Sequence, residues 1–223
     1  MYEYKHKLIN NHYIVTIGDK NYLIDTGCPK SFSLTNQKDI VTIDGKEYEL
    51  APNKLTPYQT TQTLELIGAG VSGIDGFIGM DIINQTSLTI YKDGRIVFGV
   101  VDLNEEGMPL HTSQGYIYID TSIGKYAIDT GAMYGYGAKW LFRDIKPYTR
   151  CRDYNPGLGV LVSDLYRLLI GVNNQIKKVD MCDNFTVQQT YLPMINCDVI
   201  GSITTLFDEV CVIDMKNKVL KLK

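Results

Sequence analysis

The chain has 223 residues, enough for one sizeable domain or two small lobes sharing a core. Its 44% hydrophobic content is that of a globular protein and excludes wholesale disorder. A net charge of −3 and a pI near 5.6, with no basic cluster, leave no electrostatic footprint for nucleic acid, and no nucleic-acid partner is expected.

From the N-terminus, Met1-Tyr2-Glu3-Tyr4-Lys5-His6-Lys7 lacks the apolar core of a secretory signal, so the expected compartment is the cytoplasm. Strands are predicted over His12–Ile17 and Asn21–Asp25, then over Asp39–Ile43 and Lys46–Leu50 around an Asp44-Gly45 turn. Leu64-Glu65-Leu66-Ile67 looks strand-like and precedes Gly68-Ala69-Gly70-Val71-Ser72-Gly73, which spells the GxGxxG of dinucleotide-binding loops. Gly76 and Gly79 interrupt the helix such a loop must open, and no alternating strand–helix pattern surrounds it. These glycines therefore read as loop residues, with a nucleotide-linked enzyme as a remote competing reading.

A short helical turn is predicted over Met80–Asn84, then a hairpin from Ser87–Tyr91 through Lys92-Asp93-Gly94 to Arg95–Phe98. The polar stretch Asp102–Pro109 has linker composition. Beyond it, strands are predicted over Tyr116–Thr121, Lys125–Asp129, Leu165–Ile170 and Gln175–Val179. Helical turns are expected over Ala138–Phe142 and Ser202–Phe207, and a closing hairpin from Val210–Asp214 to Lys218–Leu220. Pro147, Asn155-Pro156-Gly157 and Gly159 mark an extra loop within Arg143–Asp164. Asn84-Gln85-Thr86 and Asn184-Phe185-Thr186 match the glycosylation sequon, a pattern common by chance.

No apolar run approaches membrane-spanning length, so no membrane partner is expected. Cys28, Cys151, Cys182, Cys197 and Cys211 form no CxxC pair and stand apart from His6, His12 and His111 in ligand spacing. They read as reduced thiols in or near a core, and no metal site is expected.

One pattern organises the chain. Tyr-x-Ile-Asp-Thr-Gly occurs as Tyr22-Leu23-Ile24-Asp25-Thr26-Gly27 and again as Tyr126-Ala127-Ile128-Asp129-Thr130-Gly131. With near-average residue usage, one Asp-Thr-Gly arises by chance in roughly 5% of chains this long and two in about 0.1%, so the pair points to duplication. Each copy is followed by an apolar pair and glycine, Phe77-Ile78-Gly79 and Val199-Ile200-Gly201, and then by a hairpin. Two copies are too few for a solenoid and fit an all-β, two-lobed body with few short helices.

The chemistry of the repeated tripeptide follows from its residues. Glycine permits close backbone approach and unusual dihedrals, so that a neighbouring carboxylate can point into a cleft. Threonine can tie the loop down through its hydroxyl. If the halves pack about a pseudo-twofold axis, Asp25 and Asp129 meet at that axis. Two carboxylates about 3 Å apart repel by roughly 5 kcal/mol at an effective dielectric near 20, so such a pair holds one proton over a broad pH range.

These motifs resemble the aspartic proteases of the pepsin and retropepsin clan, through both Ile-Asp-Thr-Gly copies and the elements Gly76–Asp81 and Asp198–Ser202. The resemblance spans nearly the whole chain as landmarks. It implies a pepsin-like fold whose lobes are residues 1–104, carrying Asp25, and 105–223, carrying Asp129. It implies an aspartic endopeptidase whose Asp25/Asp129 dyad shares a proton and activates water, as is usual for this clan. Thr26, Gly27, Thr130 and Gly131 would support the active-site loops, Thr26 and Thr130 by cross-linking them.

The clan's flap would correspond to the hairpin Val41–Tyr48, with Asp44, Gly45 and Tyr48 as candidate flap residues, Tyr58 nearby and Leu168–Gln175 as the counterpart in the other lobe. The implied substrate is a peptide or protein, with no metal or organic cofactor, and two motifs in one chain allow a monomer. The residue after Asp-Thr-Gly, often Ser or Thr in pepsin-like enzymes, is Cys28 in one copy and Ala132 in the other. Weaker hydrogen bonding to the ionised dyad then predicts a working pH nearer neutral than pepsin's. The competing reading is a non-catalytic peptide- or protein-binding module on the same scaffold, against which intact aspartates in both halves argue.

Overall fold

A computed structural model of the chain describes residues 2–35, 37–68 and 73–223. The first half holds strands β1 (Glu3–Ile9), β2 (His12–Ile17), β3 (Lys20–Ile24), β4 (Phe32–Ser33), β5 (Asp39–Ile43) and β6 (Lys46–Leu50). Helix α1 (Pro57–Ile67), β7 (Gly76–Ile78), helix α2 (Met80–Thr86), β8 (Leu88–Tyr91) and β9 (Arg95–Val97) complete it. The second half opens with β10 (Met108–Pro109), β11 (His111–Ser113), β12 (Tyr116–Thr121), β13 (Gly124–Ile128), β14 (Gly135–Gly137) and a 3-10 turn at Lys139–Phe142. It continues through β15 (Thr149–Asn155), β16 (Gly159–Val172), β17 (Gln175–Asp183), helix α3 (Phe185–Ile195), β18 (Val199–Gly201), β19 (Val210–Asp214) and β20 (Val219–Leu222). The described chain is mostly β-strand, and none of its helices is long and apolar enough to cross a membrane.

The repeat is visible in the pairing. In the first half β2 runs antiparallel to β3, β3 parallel to β7, and β7 antiparallel to β4. In the second half β12, β13, β18 and β14 repeat that sequence of pairings. Period-two alternation gives the central strands two buried faces. Tyr22 and Ile24, like Tyr126 and Ile128, face a main core shared by both halves. Leu23 faces a satellite cluster with Ile14, Ile67 and Phe77, and Ala127 faces another with Val187, Leu192 and Ile200. Full burial of one such large side chain contributes about 1.5–3 kcal/mol.

The C-terminal hairpin β19–β20 pairs with β8 and β10 in a ten-stranded sheet that also contains β1 to β4, β7 and β9. The sheet therefore crosses the expected boundary between residues 104 and 105 and joins the two ends of the chain.

Several expectations need correction. Leu64–Ile67 is the last turn of helix α1, not a strand. Thr56 caps α1 reciprocally with Gln59, Pro57 occupies its first turn, and Gly68 ends it at φ 73°. A helix therefore precedes the glycine-rich segment and strand β7 follows it, the reverse of a dinucleotide-binding turn; residues 69–72 of that motif lie outside the described residues. Asn184 caps α3, which was also not anticipated. Ser202–Phe207 forms only a turn, closed by Leu206 N donating to Ile203 O at 2.9 Å. The sulfurs of Cys151 and Cys182, far apart in sequence, lie 2.9 Å from each other, buried, on β15 and β17.

The repeat is also staggered by one residue from the sequence alignment. Asp25 N donates to Ile78 O and Asp129 N to Gly201 O, both at 2.9 Å, so Gly201 stands where Ile78 does and not where Gly79 does. The true equivalents are Asp75 and Asp198. Their carboxylates accept from the backbone N–H of Asn21 at 2.7 Å and of Lys125 at 2.9 Å, one residue before each Tyr-x-Ile-Asp-Thr-Gly.

Removing either acceptor orphans a partly buried N–H, a loss of about 1–3 kcal/mol. Asp75→Ala and Asp198→Ala should each lower unfolding free energy by that amount, with denaturant m-values unchanged, as measured by urea titration. A neutral Asp198→Ala beside a destabilised Asp75→Ala would show that the two carboxylates do not play equivalent parts.

Candidate active site

Each Asp-Thr-Gly loop leaves the end of a buried central strand, β3 or β13, and turns back through matched bonds. Cys28 N donates to Asp25 O and Ala132 N to Asp129 O, both at 3.2 Å. Gly27 N donates to Asp25 Oδ1 and Gly131 N to Asp129 Oδ1, both at 2.9 Å. Each carboxylate is thus aimed by its own loop.

Two threonines join the loops. Thr26 Oγ1 donates to Ile128 O at 2.8 Å and accepts from Thr130 N at 3.0 Å. Thr130 Oγ1 donates to Ile24 O and accepts from Thr26 N at the same two distances. Both side chains are buried, so all four bonds are shielded from water.

The glycines are required by close approach rather than by dihedral freedom. Neither has positive φ. A Cβ on Gly27 would lie 2.5 Å from Asp129 Cγ, and one on Gly131 the same distance from Asp25 Cγ. Each carboxyl therefore rests on the glycine of the opposite loop, and any larger residue there would push the two apart. The structure brings Asp25, Thr26, Gly27, Asp129, Thr130 and Gly131 into one constellation.

The electrostatics follow from that packing. Burial raises the Asp25 carboxyl above its ordinary range, opposed by its hydrogen bonds to Asp129 and to the backbone of Gly27 and Cys28. Burial raises Asp129 well above that range, and the charge of Asp25 raises it further. The pair as a unit keeps a proton that two isolated aspartates would lose. The Cys28 thiol donates to Lys30 O at 3.1 Å rather than to Asp25, and Ala132 has no donor to offer. Burial, followed by the charge of Asp25, pushes that thiol up to about 12.

Above the dyad lies a cavity of about 420 Å³. Leu23, Phe32, Leu66, Ile67 and Phe77 form its first-half wall, with Phe32 and Phe77 stacked at 4.5 Å. Tyr116, Tyr136, Leu161, Val187, Tyr191 and Ile200 form the facing wall. The roof comes from α1 on one side and from residues 154–158, at the β15–β16 tip, on the other. Gln59 Nε2 closes it by donating to Pro156 O at 2.9 Å.

The expected flap lies elsewhere. The Asp44-Gly45 turn forms, yet Asp44, Gly45 and Tyr48 do not line the cavity. Asp44 Oδ1 accepts from Tyr2 N at 2.9 Å, Lys46 reaches Gln85, and Tyr48 is buried in the main core. Tyr58 is exposed and outside the lining. The counterpart turn at Asn173-Asn174 is likewise held away, with Gly171 N bonded to Ser122 Oγ at 2.7 Å. The stretch read as an extra loop, Arg143–Asp164, contains the arm that roofs the cavity. Alternation from Arg150 to Tyr154 and from Val160 to Asp164 around Asn155-Pro156-Gly157 was the available signal for it.

Thr26→Val keeps the side chain's shape but removes one bond each way, leaving Ile128 O and Thr130 N unpaired. The expected loss is about 2–4 kcal/mol of unfolding free energy by denaturant titration, while Thr26→Ser, which keeps the hydroxyl, should recover most of it. Equal stability of the two variants would mean that the hydroxyl bonds contribute nothing net.

No protein-family model matches this sequence, and no curated protein matches it either.

Proposed function

We propose that the chain is an aspartic endopeptidase of the pepsin and retropepsin clan, with two lobes, residues 1–104 and 105–223, related by a pseudo-twofold axis through the dyad. The observation that carries this reading is the reciprocal bonding of the two Asp-Thr-Gly loops, which seats Asp25 and Asp129 against each other on the floor of a cavity with apolar walls. A peptide in that cavity would place its scissile carbonyl over the dyad. The ionised carboxyl takes a proton from a bound water as the water oxygen attacks the carbonyl carbon, and the protonated carboxyl gives its proton to the carbonyl oxygen. The resulting gem-diol returns a proton to the dyad and the amide nitrogen gains one as the C–N bond breaks. One water is consumed, and an acid and an amine are released.

The reading is tested with casein or a peptide library. Cleavage that is lost, by about 10³-fold or more, in both Asp25→Asn and Asp129→Asn and blocked by a statine-type mimic supports it. Tight peptide binding without turnover would instead identify a non-catalytic binding module.

The pH dependence follows from the raised carboxyls. Both ordinary Asp groups titrate near about 3.9, and burial moves this pair upward, so the kcat/KM profile should be bell-shaped with its optimum above that value. A maximum near pH 2–3, the range roughly expected of strongly depressed Asp pKa values, would defeat the proposal of a near-neutral working range.

Stability should run the opposite way. A carboxyl raised in the folded state contributes stability below its unfolded pKa, and that contribution is lost as pH rises through the folded value. Asp129→Asn carries no ionisable group and escapes that loss. It should therefore melt above the wild type at pH 7, each kcal/mol being worth about 2–4 °C in a chain of this size, with the advantage gone near pH 3. Calorimetry showing the same difference at both pH values would separate the effect from dyad ionisation.

A further inference from the structure

Apart from the dyad, the cavity contains one carboxylate that the hydrolytic chemistry does not use. Asp153 lies on β15 just before the arm tip and lines the cavity. Its Oδ2 accepts from the Tyr136 hydroxyl at 2.6 Å and its Oδ1 from the Tyr154 backbone N–H at 2.8 Å. These two bonds fix the carboxylate on the second-half wall but bring it no positive charge. Among the described residues no Lys or Arg lines the cavity and none forms an ion pair with Asp153. Arg150, on the same strand, pairs with Asp164 at 3.4 Å. His12 also lines the cavity, and burial holds its imidazole below the usual range, toward the neutral form.

A substrate that covers Asp153 strips water from a charge. An apolar side chain gives nothing in return for that lost hydration, and an acidic one adds repulsion from Asp153 and from the dyad. A Lys or Arg side chain can lay its aliphatic stem along Leu158, Leu161 and Tyr116 and set its cationic head at Asp153. We propose that Asp153 is a specificity residue, selecting peptides that present a Lys or Arg side chain to the second-half wall beside the dyad. The proposal rests on the peptidase reading of the same cavity and names its substrate class.

The test uses otherwise identical peptides in which Lys, Arg, Leu, Gln or Glu is walked through the positions flanking the cleaved bond. kcat/KM is measured with the full-length wild type and with Asp153→Asn and Asp153→Glu; Kd for the same peptides is measured by fluorescence anisotropy on the inactive Asp129→Asn chain. At one position, Lys and Arg should exceed Glu by about tenfold or more in both kcat/KM and 1/Kd, the equivalent of about 1.4 kcal/mol. Asp153→Asn keeps an acceptor for Tyr136 and should bring that ratio near one, while Asp153→Glu should retain a preference for the basic peptides. A wild type that cleaves the Lys, Leu and Glu peptides with equal kcat/KM overturns the role of Asp153 and leaves the peptidase standing. If the Asp129→Asn chain binds Lys over Glu peptides while the wild type cleaves none, selectivity stands and hydrolysis falls. Neither cleavage nor binding overturns both.

Discussion

The structure depends on holding together two acidic groups that repel when both are ionised. Two ionised carboxylates at contact distance repel, and burial worsens the repulsion, so the hydrogen bond between Asp25 and Asp129 holds them only while one keeps its proton. The holding is done by backbone. Each threonine hydroxyl both donates to a carbonyl and accepts from an N–H of the opposite loop, satisfying groups that would otherwise be buried and unpaired. The bonds can form only because Gly27 and Gly131 let the opposite carboxyls rest directly on the backbone. Threonine and glycine are thus two parts of one constraint: the first draws the loops together, the second removes the atom that would keep them apart.

That constraint explains the raised pKa values without any further device. The loops supply each carboxyl with backbone donors, which favour ionisation, yet burial outweighs them at both positions. The neighbours that could have tipped the balance do not act: Cys28 turns its thiol to Lys30 O, and Ala132 is mute. A proton shared between the two is the cheapest way to relieve the repulsion. The site therefore stores free energy that the fold must supply through the main core, where Tyr22, Ile24, Tyr126 and Ile128 bury the strands feeding both loops.

The strands and the paired loops were legible in the sequence because their signals are local. Alternating Tyr, Ile and Val set β2, β5, β6 and β12 to within their observed bounds, and a twice-written hexapeptide marked the dyad. Failures came where one residue type carries two messages. Helix α1 is rich in threonine, poor in helix propensity, and ends in an apolar run that alone reads as strand; Thr56, Pro57, Gln59 and Gly68 signalled its ends. Asn184 read as a sequon and serves as a helix cap. The one-residue stagger between Gly79 and Gly201 could not be found by matching apolar-apolar-Gly, because strand register is set by pairing with β3 and β13 and not by composition. The place of the Asp44-Gly45 turn is hidden for a related reason: Asp-Gly marks a turn, but nothing local says which surface the turn will cover.

What covers the cavity is the place where the repeat breaks. The hairpin turns at Asp44-Gly45 and at Asn173-Asn174 are counterparts, and each is tied within its own half, Asp44 to Tyr2 and Gly171, beside the second turn, to Ser122. Neither turn lines the cavity. The extra residues of β15 and the first part of β16 have no counterpart in the first half, and they extend far enough for Pro156 to meet Gln59 on α1. Closure is therefore asymmetric even though the floor is reciprocal. The same arm carries Asp153 and Tyr154 to the cavity wall, so the segment that breaks the repeat also gives the two sides of the dyad different chemistry. A matched pair of aspartates thus lies beneath walls that do not match.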